Sequence, residues 1–208
     1  MKKLIISPHV DDEVIACGGI LDKDSFVYYC GIDESNLPPD PGHRIPIEER
    51  MKELVATANF LGFNYEVNRN TKVNYFVEQE IKDELERIIN RVKPDMIFLP
   101  HAGYNQDHRT VFHAAQVALR PHDKNFFVKK VLVYEAVHDM WWSDRVFYPT
   151  YFMPIDIDRK IKAYELQQSQ VRGMRSPDMI RDLAKLRGAM SHCQYAEAFE
   201  VLRWVGEK

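Results

Sequence analysis

Cysteine is scarce in this chain: three in 208 residues, Cys17, Cys30 and Cys193, widely separated and odd in number. Such a set builds neither a disulfide framework nor a CxxC zinc knuckle, and it predicts a reducing compartment. Long apolar runs are also missing. Leu4-Ile5-Ile6 follows Met1-Lys2-Lys3 and is soon ended by Pro8. That run is too short for a signal-peptide core or a membrane span, so the expected location is the cytoplasm. Nor does positive charge dominate. Lys+Arg total 28 against Asp+Glu 31, a formal net charge of −3, which lacks the basic stripe of a nucleic-acid binder.

What is present is the composition of an ordinary folded protein, 45% hydrophobic and 28% charged, enough for one packed core. A chain of this length fits a single domain over residues 1–208. Apolar runs at Leu4–Ser7, Phe26–Gly31, Phe63–Val67, Met96–Leu99 and Val131–Tyr134 read as strands. Between them, three- and four-residue apolar spacing predicts helices over Val14–Leu21, Ile47–Leu61 with Gly62 as its stop, Val77–Val92 and Asp107–Leu119. Further helices are expected at Ile161–Gln170, Pro177–Met190 and Tyr195–Val205. Strands alternating with helices define an α/β fold, a Rossmann-like, mostly parallel sheet with helices on both faces. Its active site belongs at the carboxyl ends of the strands, near a switch in strand order.

Two polar loops leave such strand ends. The first, Pro8-His9-Val10-Asp11-Asp12-Glu13, sets one imidazole and three carboxylates side by side, with Gly18-Gly19 close behind. Those charges repel unless a cation neutralises them, and buried carboxylates are tolerated when paired or bound to metal. The alternative is that Asp11, Asp12 and Glu13 only favour the positive end of the following helix. The second loop carries Asn105-Gln106-Asp107-His108, with His101 before it and His113 after it. One His and one carboxylate from the first loop with one His from the second make three N/O ligands and leave a fourth position for water. That is the pattern of a catalytic zinc site. Iron or another first-row divalent ion suits the same donors.

The combination Ser7-Pro8-His9-Val10-Asp11-Asp12-Glu13, Gly18-Gly19 and Asn105-Gln106-Asp107-His108-Arg109 resembles the LmbE-like or PIG-L-like zinc N-deacetylases, the N-acetylglucosaminyl deacetylase type. Arg50-x-x-Glu53, Ser169-Gln170 and Tyr195-Ala196-Glu197-Ala198-Phe199 agree with it more weakly. The resemblance implies that His9, Asp12 and His108 hold the metal and that Asp11 is general base and then acid. It also implies that Asp107 orients a histidine and that Arg50 meets substrate hydroxyl or phosphate groups. Glu13, His101 and Tyr104 complete the expected substrate-facing set, with a structural, hydrogen-bonded His101 as the alternative. Many relatives have a histidine thought to stabilise the oxyanion where this chain has Asn105, whose amide can donate a hydrogen bond but cannot carry a proton charge. His192 also departs from the small residue that relatives often have.

The implied activity is removal of an acetyl group from an N-acetylated amino sugar or sugar conjugate, with no nucleic-acid partner. A broader hydrolase of cysteinyl-sugar-type amides and a non-catalytic metal- or sugar-binding homologue are the alternatives. The Asp33–His43 loop is placed to gate access. His138, Asp139, Met140, Trp141 and Trp142 suit sugar stacking, with core packing, a homo-oligomer contact or a lid as the alternatives.

Overall fold

The computed structural model describes residues 1–39, 42–135 and 145–206. The segment from His138 to Trp142 lies outside the described residues. Among the described residues the α-helices and strands follow one another as β1 Lys3–Ser7, α1 Asp12–Cys17, β2 Ser25–Tyr29, α2 Ile47–Leu61, β3 Asn64–Val67, α3 Glu78–Val92, β4 Met96–Pro100, α4 Gln106–Ala118, β5 Lys130–Tyr134, β6 Tyr151–Pro154, α5 Ile157–Glu165, α6 Pro177–Met190 and β7 Ala196–Trp204. Among the described residues the strands form one sheet in the order β3-β2-β1-β4-β5-β7-β6. The first five are parallel, and β7 runs antiparallel between β5 and β6.

The central strands β1, β2, β4 and β5 are mostly apolar because both of their faces are covered. On one face Ile5, Val27, Tyr29, Phe98 and Phe199 pack against α1, α2, α5 and α6. On the other, Leu4, Ile6, Tyr28, Ile97 and Leu99 pack against α3 and α4. Phe199 meets Phe98 edge-on at 5.1 Å between ring centres and is fully buried. Phe199→Ala is therefore expected to cost about 3–5 kcal/mol of stability, read as a lowered urea midpoint; an unchanged midpoint would exclude this contact as a core support.

Two features of the sheet position the functional loops. The chain starts at β1, moves outward to β2 and β3, then returns to β4 on the other side of β1, so strand order switches between β1 and β4. The loops after those two strands face each other across that crevice. Gly62 closes α2 in the left-handed conformation, φ 86°, as its place after the periodic segment predicts.

The last segment corrects one expectation. Tyr195–Val205 reads as a helix because Ala and Glu are strong helix formers, but Ala196–Trp204 is strand β7. The slot between β5 and β6 overrides local propensity. Its glutamates are neutralised inside the sheet: Lys160 donates to Glu197 Oε1 at 2.6 Å, and Arg145 pairs with Glu200. β6 was not expected from the sequence at all, and the helix expected over Ile161–Gln170 instead starts at Ile157, capped by Asp156, and ends at Glu165.

Candidate metal centre

The loop after β1 folds back on its own side chains. Ser7 Oγ donates to the His9 carbonyl at 2.7 Å, and the His9 amide donates to Asp12 Oδ2 at 3.0 Å. Asp11 then takes φ 156°, ψ −31°, a conformation rare for a residue with a Cβ. It is held there from three sides. The Asp11 amide donates to Glu13 Oε2 at 3.0 Å, Arg50 donates to the Val10 carbonyl, and Arg175 donates to Asp11 Oδ2 at 2.5 Å.

Across the crevice, Asn105 caps α4, its Oδ1 accepting from the Asp107 amide at 2.8 Å. This cap aims Asp107 and His108 at the first loop. One ligand atom each from His9, Asp12 and His108 lies within 4.8 Å of the others. Asp12 Oδ2 stands 3.4 Å from His9 Nδ1 and 3.1 Å from His108 Nε2. His9 Nε2 meets Asp107 Oδ2 at 2.9 Å, and the Asn74 amide donates to that same oxygen at 2.6 Å. Two imidazoles sharing one carboxylate, one of them tethered from behind by a second, make a donor set with outer support. The group can hold a metal.

Charge follows from this packing. Burial opposes a charge on His9, but its bonds to Asp107 and Asp12 outweigh that and push its pKa up to about 9. Burial likewise works against the Asp12 charge, yet the flanking imidazoles of His108 and His9 hold it well below the usual carboxylate range. Glu13 is pushed up to about 8 by burial and by the nearby Asp11 charge. Because Asp107 fixes His9 through Nε2, Asp107→Asn is expected to weaken metal affinity by roughly 10–100-fold, read by competition with a chromophoric chelator; unaltered affinity would remove Asp107 from this supporting role.

Several residues expected at the substrate stand elsewhere. Glu13 is fully buried, its carboxylate taken by the Asp11 amide and by Gln167 Nε2 at 2.9 Å, so it braces the loop from below and offers no surface to a substrate. Arg50 is 3% exposed and spent on Glu34 and the Val10 carbonyl, which makes it a pin between α2 and the metal loop. His101 is buried, its Nδ1 accepting from the Gly103 amide at 3.2 Å and its ring edge-on to Phe147, the structural alternative. Tyr104 is 45% exposed on the second loop. His113 lies on the exposed side of α4. His192 adopts φ 59° after α6, the left-handed region, which histidine enters more readily than most residues with a Cβ.

The weaker motifs meet in space. Ser169 donates to both oxygens of Glu53, through its amide at 2.7 Å and its hydroxyl at 2.6 Å. Gly19 donates to Glu197 Oε1 at 2.7 Å, and a Cβ there would fall 2.4 Å from Ile155 Cγ2. Only glycine permits that approach. Arg175, Gln167, Glu34 and Asn74 were not legible as site residues. None belongs to a motif, and Arg175 stands 164 residues from the carboxylate that it touches.

Fold and site together define an α/β protein whose switch-point crevice carries a His-Asp-His cluster able to bind a metal, with a further carboxylate, Asp11, alongside. The family model described as PIG-L, GlcNAc-PI de-N-acetylase, matches residues 4–119. That is more than half of the chain, and the protein belongs to this family. No curated protein sequence matches it. Among solved structures, the N,N'-diacetylchitobiose deacetylase of Pyrococcus horikoshii is 20% identical with a TM-score of 0.77, over 97% of this chain and 84% of that one. The zinc-inhibited form of teicoplanin deacetylase Orf2 is 20% identical with a TM-score of 0.75, over 100% of both chains. The 4-carboxy-2-hydroxymuconate hydratase of Pseudomonas putida KT2440 is 20% identical with a TM-score of 0.77, over 100% of this chain and 99% of that one. These likenesses are of fold. Among the described residues, no helix is long and apolar enough to cross a membrane.

Proposed function

We propose that this protein is a metal-dependent deacetylase of an N-acetylated amino sugar or sugar conjugate, with zinc as the metal. The observation that carries the reading is the His9–Asp12–His108 group at the switch-point crevice, Asp12 and His108 buried and His9 half-buried, with Asp11 next to it in the chain. The deacetylase description of the family and the sugar-related deacetylases among the structural neighbours support the substrate class.

His9 and His108 would supply nitrogen donors and Asp12 an oxygen. When bound there, zinc would polarise the amide carbonyl and bring the pKa of a water towards ~7. The protein's own part is proton transfer and positioning. Asp11 takes the proton of the attacking water as its oxygen adds to the acetyl carbon. It returns that proton to the nitrogen as the C–N bond breaks, so acetate and a free amine leave. Arg175 holds one oxygen of Asp11, and Oδ1 has no protein partner among the described residues, which suits it to the transfer. The amide of Asn105, its oxygen spent on the helix cap, keeps its N–H groups for an oxyanion.

The deciding experiment is acetate release by zinc-loaded protein across free, phosphorylated and nucleotide-linked N-acetylhexosamines. Release from at least one supports the reading. Metal-loaded protein that releases no acetate from any of them, or from a cysteinyl-sugar conjugate, overturns it. That result would favour another chemistry on this fold, as the hydratase neighbour illustrates.

A further inference from the structure

The turn that leads into α3 reaches the metal centre from the far side of Asp107. The Tyr75 amide donates to the Lys72 carbonyl at 3.1 Å, closing a four-residue turn whose third residue, Asn74, takes φ 68°. That left-handed position suits glycine or asparagine. The turn is fixed on both flanks. On one, Lys72 pairs with Asp33 as an isolated parallel bridge, the Val73 amide donates to the Asp33 carbonyl at 2.8 Å, and Asn36 Nδ2 donates to the Val73 carbonyl at 2.7 Å. On the other, Phe76 packs against the core beside α3 and α4, its ring 5.8 Å from the His9 ring. Gln106 Nε2 also donates to Asn74 Oδ1 at 2.9 Å.

The anchored turn delivers one backbone N–H to a buried carboxylate. Asp107 is 1% exposed, and among the described residues no donor meets its Oδ1. Its Oδ2 meets His9 Nε2 at 2.9 Å and accepts from the Asn74 amide at 2.6 Å. Besides His9 itself, the Asn74 amide is thus the only hydrogen bond to this carboxylate among the described residues. A bond from a backbone N–H to a charged acceptor is short and strong, and it opposes a swing of the carboxylate away from His9. The other ring nitrogen of His9 faces Asp12 Oδ2 at 3.4 Å, so the imidazole is set by two carboxylates, one of which depends on the turn.

We infer that Asn74 is a positioning residue for the metal centre: its left-handed turn aims a backbone N–H at Asp107, and the carboxylate so held sets the His9 imidazole for the ion. This inference rests on the metal reading of the His9–Asp12–His108 group and extends it to the loop between β3 and α3. Zinc affinity at fixed pH, read by competition with a chromophoric chelator, tests it without turnover. A β-branched residue fits the left-handed region poorly, so in Asn74→Val the amide should leave Asp107 and affinity should fall roughly tenfold, the lower end of the loss expected for an outer partner of a metal ligand. Asn74→Gly keeps both conformation and amide and should bind as wild type does, as should Gln106→Ala, which removes only the side-chain bond. In an Asp107→Ala background Asn74→Val should add little further loss, because both act through one carboxylate. Wild-type affinity in Asn74→Val overturns the inference. So does a loss in Asn74→Gly as large as that in Asn74→Val, or an equal loss in both backgrounds, which marks a general structural effect. Asn74→Ala, milder in the same region, carries the same comparisons if the valine variant does not fold. Wild-type protein that binds no zinc overturns the metal reading and this inference together, whereas zinc binding without acetate release overturns the deacetylase chemistry alone.

Discussion

Asp11→Asn should lower acetate release by about 10²–10⁴-fold, the range that one positioned general acid–base group supplies, while leaving the metal in place. The substitution removes only the capacity to take a proton. The asparagine oxygen can still accept from Arg175, which donates to Asp11 at 2.5 Å. The backbone bonds that shape the loop, from the Asp11 amide to Glu13 and from the Val14 and Ile15 amides to the Asp11 carbonyl, are untouched. Metal content by mass spectrometry and acetate release by coupled assay separate the outcomes. A variant with full metal and full turnover would remove Asp11 from the proton transfer, and one that lost its metal would show that the carboxylate acts through the fold of the loop.

The second large effect is expected at Asp12. Its Oδ2 is the common neighbour of the His9 amide, His9 Nδ1 and His108 Nε2, at 3.0, 3.4 and 3.1 Å. Asp12→Ala deletes one donor and the partner that the two imidazoles share, so metal affinity should fall well beyond the roughly 10–100-fold expected for the outer partner Asp107. Acetate release should disappear with it. Retention of one metal per chain would place the ion elsewhere. A pH dependence follows from the same geometry. In the metal-free protein His9 keeps its proton up to about pH 9, and a ligand must lose its proton to bind. Metal affinity should therefore fall as pH falls below 9, by up to about tenfold per unit, and metal uptake at neutral pH should release protons into the buffer. Affinity independent of pH between 6 and 9 would contradict a His9 ligand.

The site was legible where its chemistry is local in sequence. His9, Asp11 and Asp12 stand within one loop, Asp107 and His108 within another, and each loop follows an apolar strand ended by proline. Residue type and spacing suffice there because consecutive side chains cannot be far apart. Residues whose task depends on distant partners were misjudged. An arginine in a motif near a sugar site reads as a substrate contact, but Arg50 is buried on Glu34 and the Val10 carbonyl. Glu13 reads as one more carboxylate of the cluster, but it turns inward to Gln167. The Ala196–Glu200 stretch carries helical propensity, yet its glutamates find Lys160 and Arg145 only when the strand lies between β5 and β6.

The sequence by itself determined the α/β class, most of the strands and helices, and the two loops whose His9, Asp12 and His108 come together as a group able to hold a metal. Hydrophobic period and ligand spacing are short-range properties, written within a few residues. Tertiary structure alone decided the strand switch that faces those loops, the edge built by β6 and β7, and the placing of Arg175 on Asp11. Each joins residues far apart in the chain, and side-chain burial and ion pairing, which single out one arrangement, exist only after the core has closed.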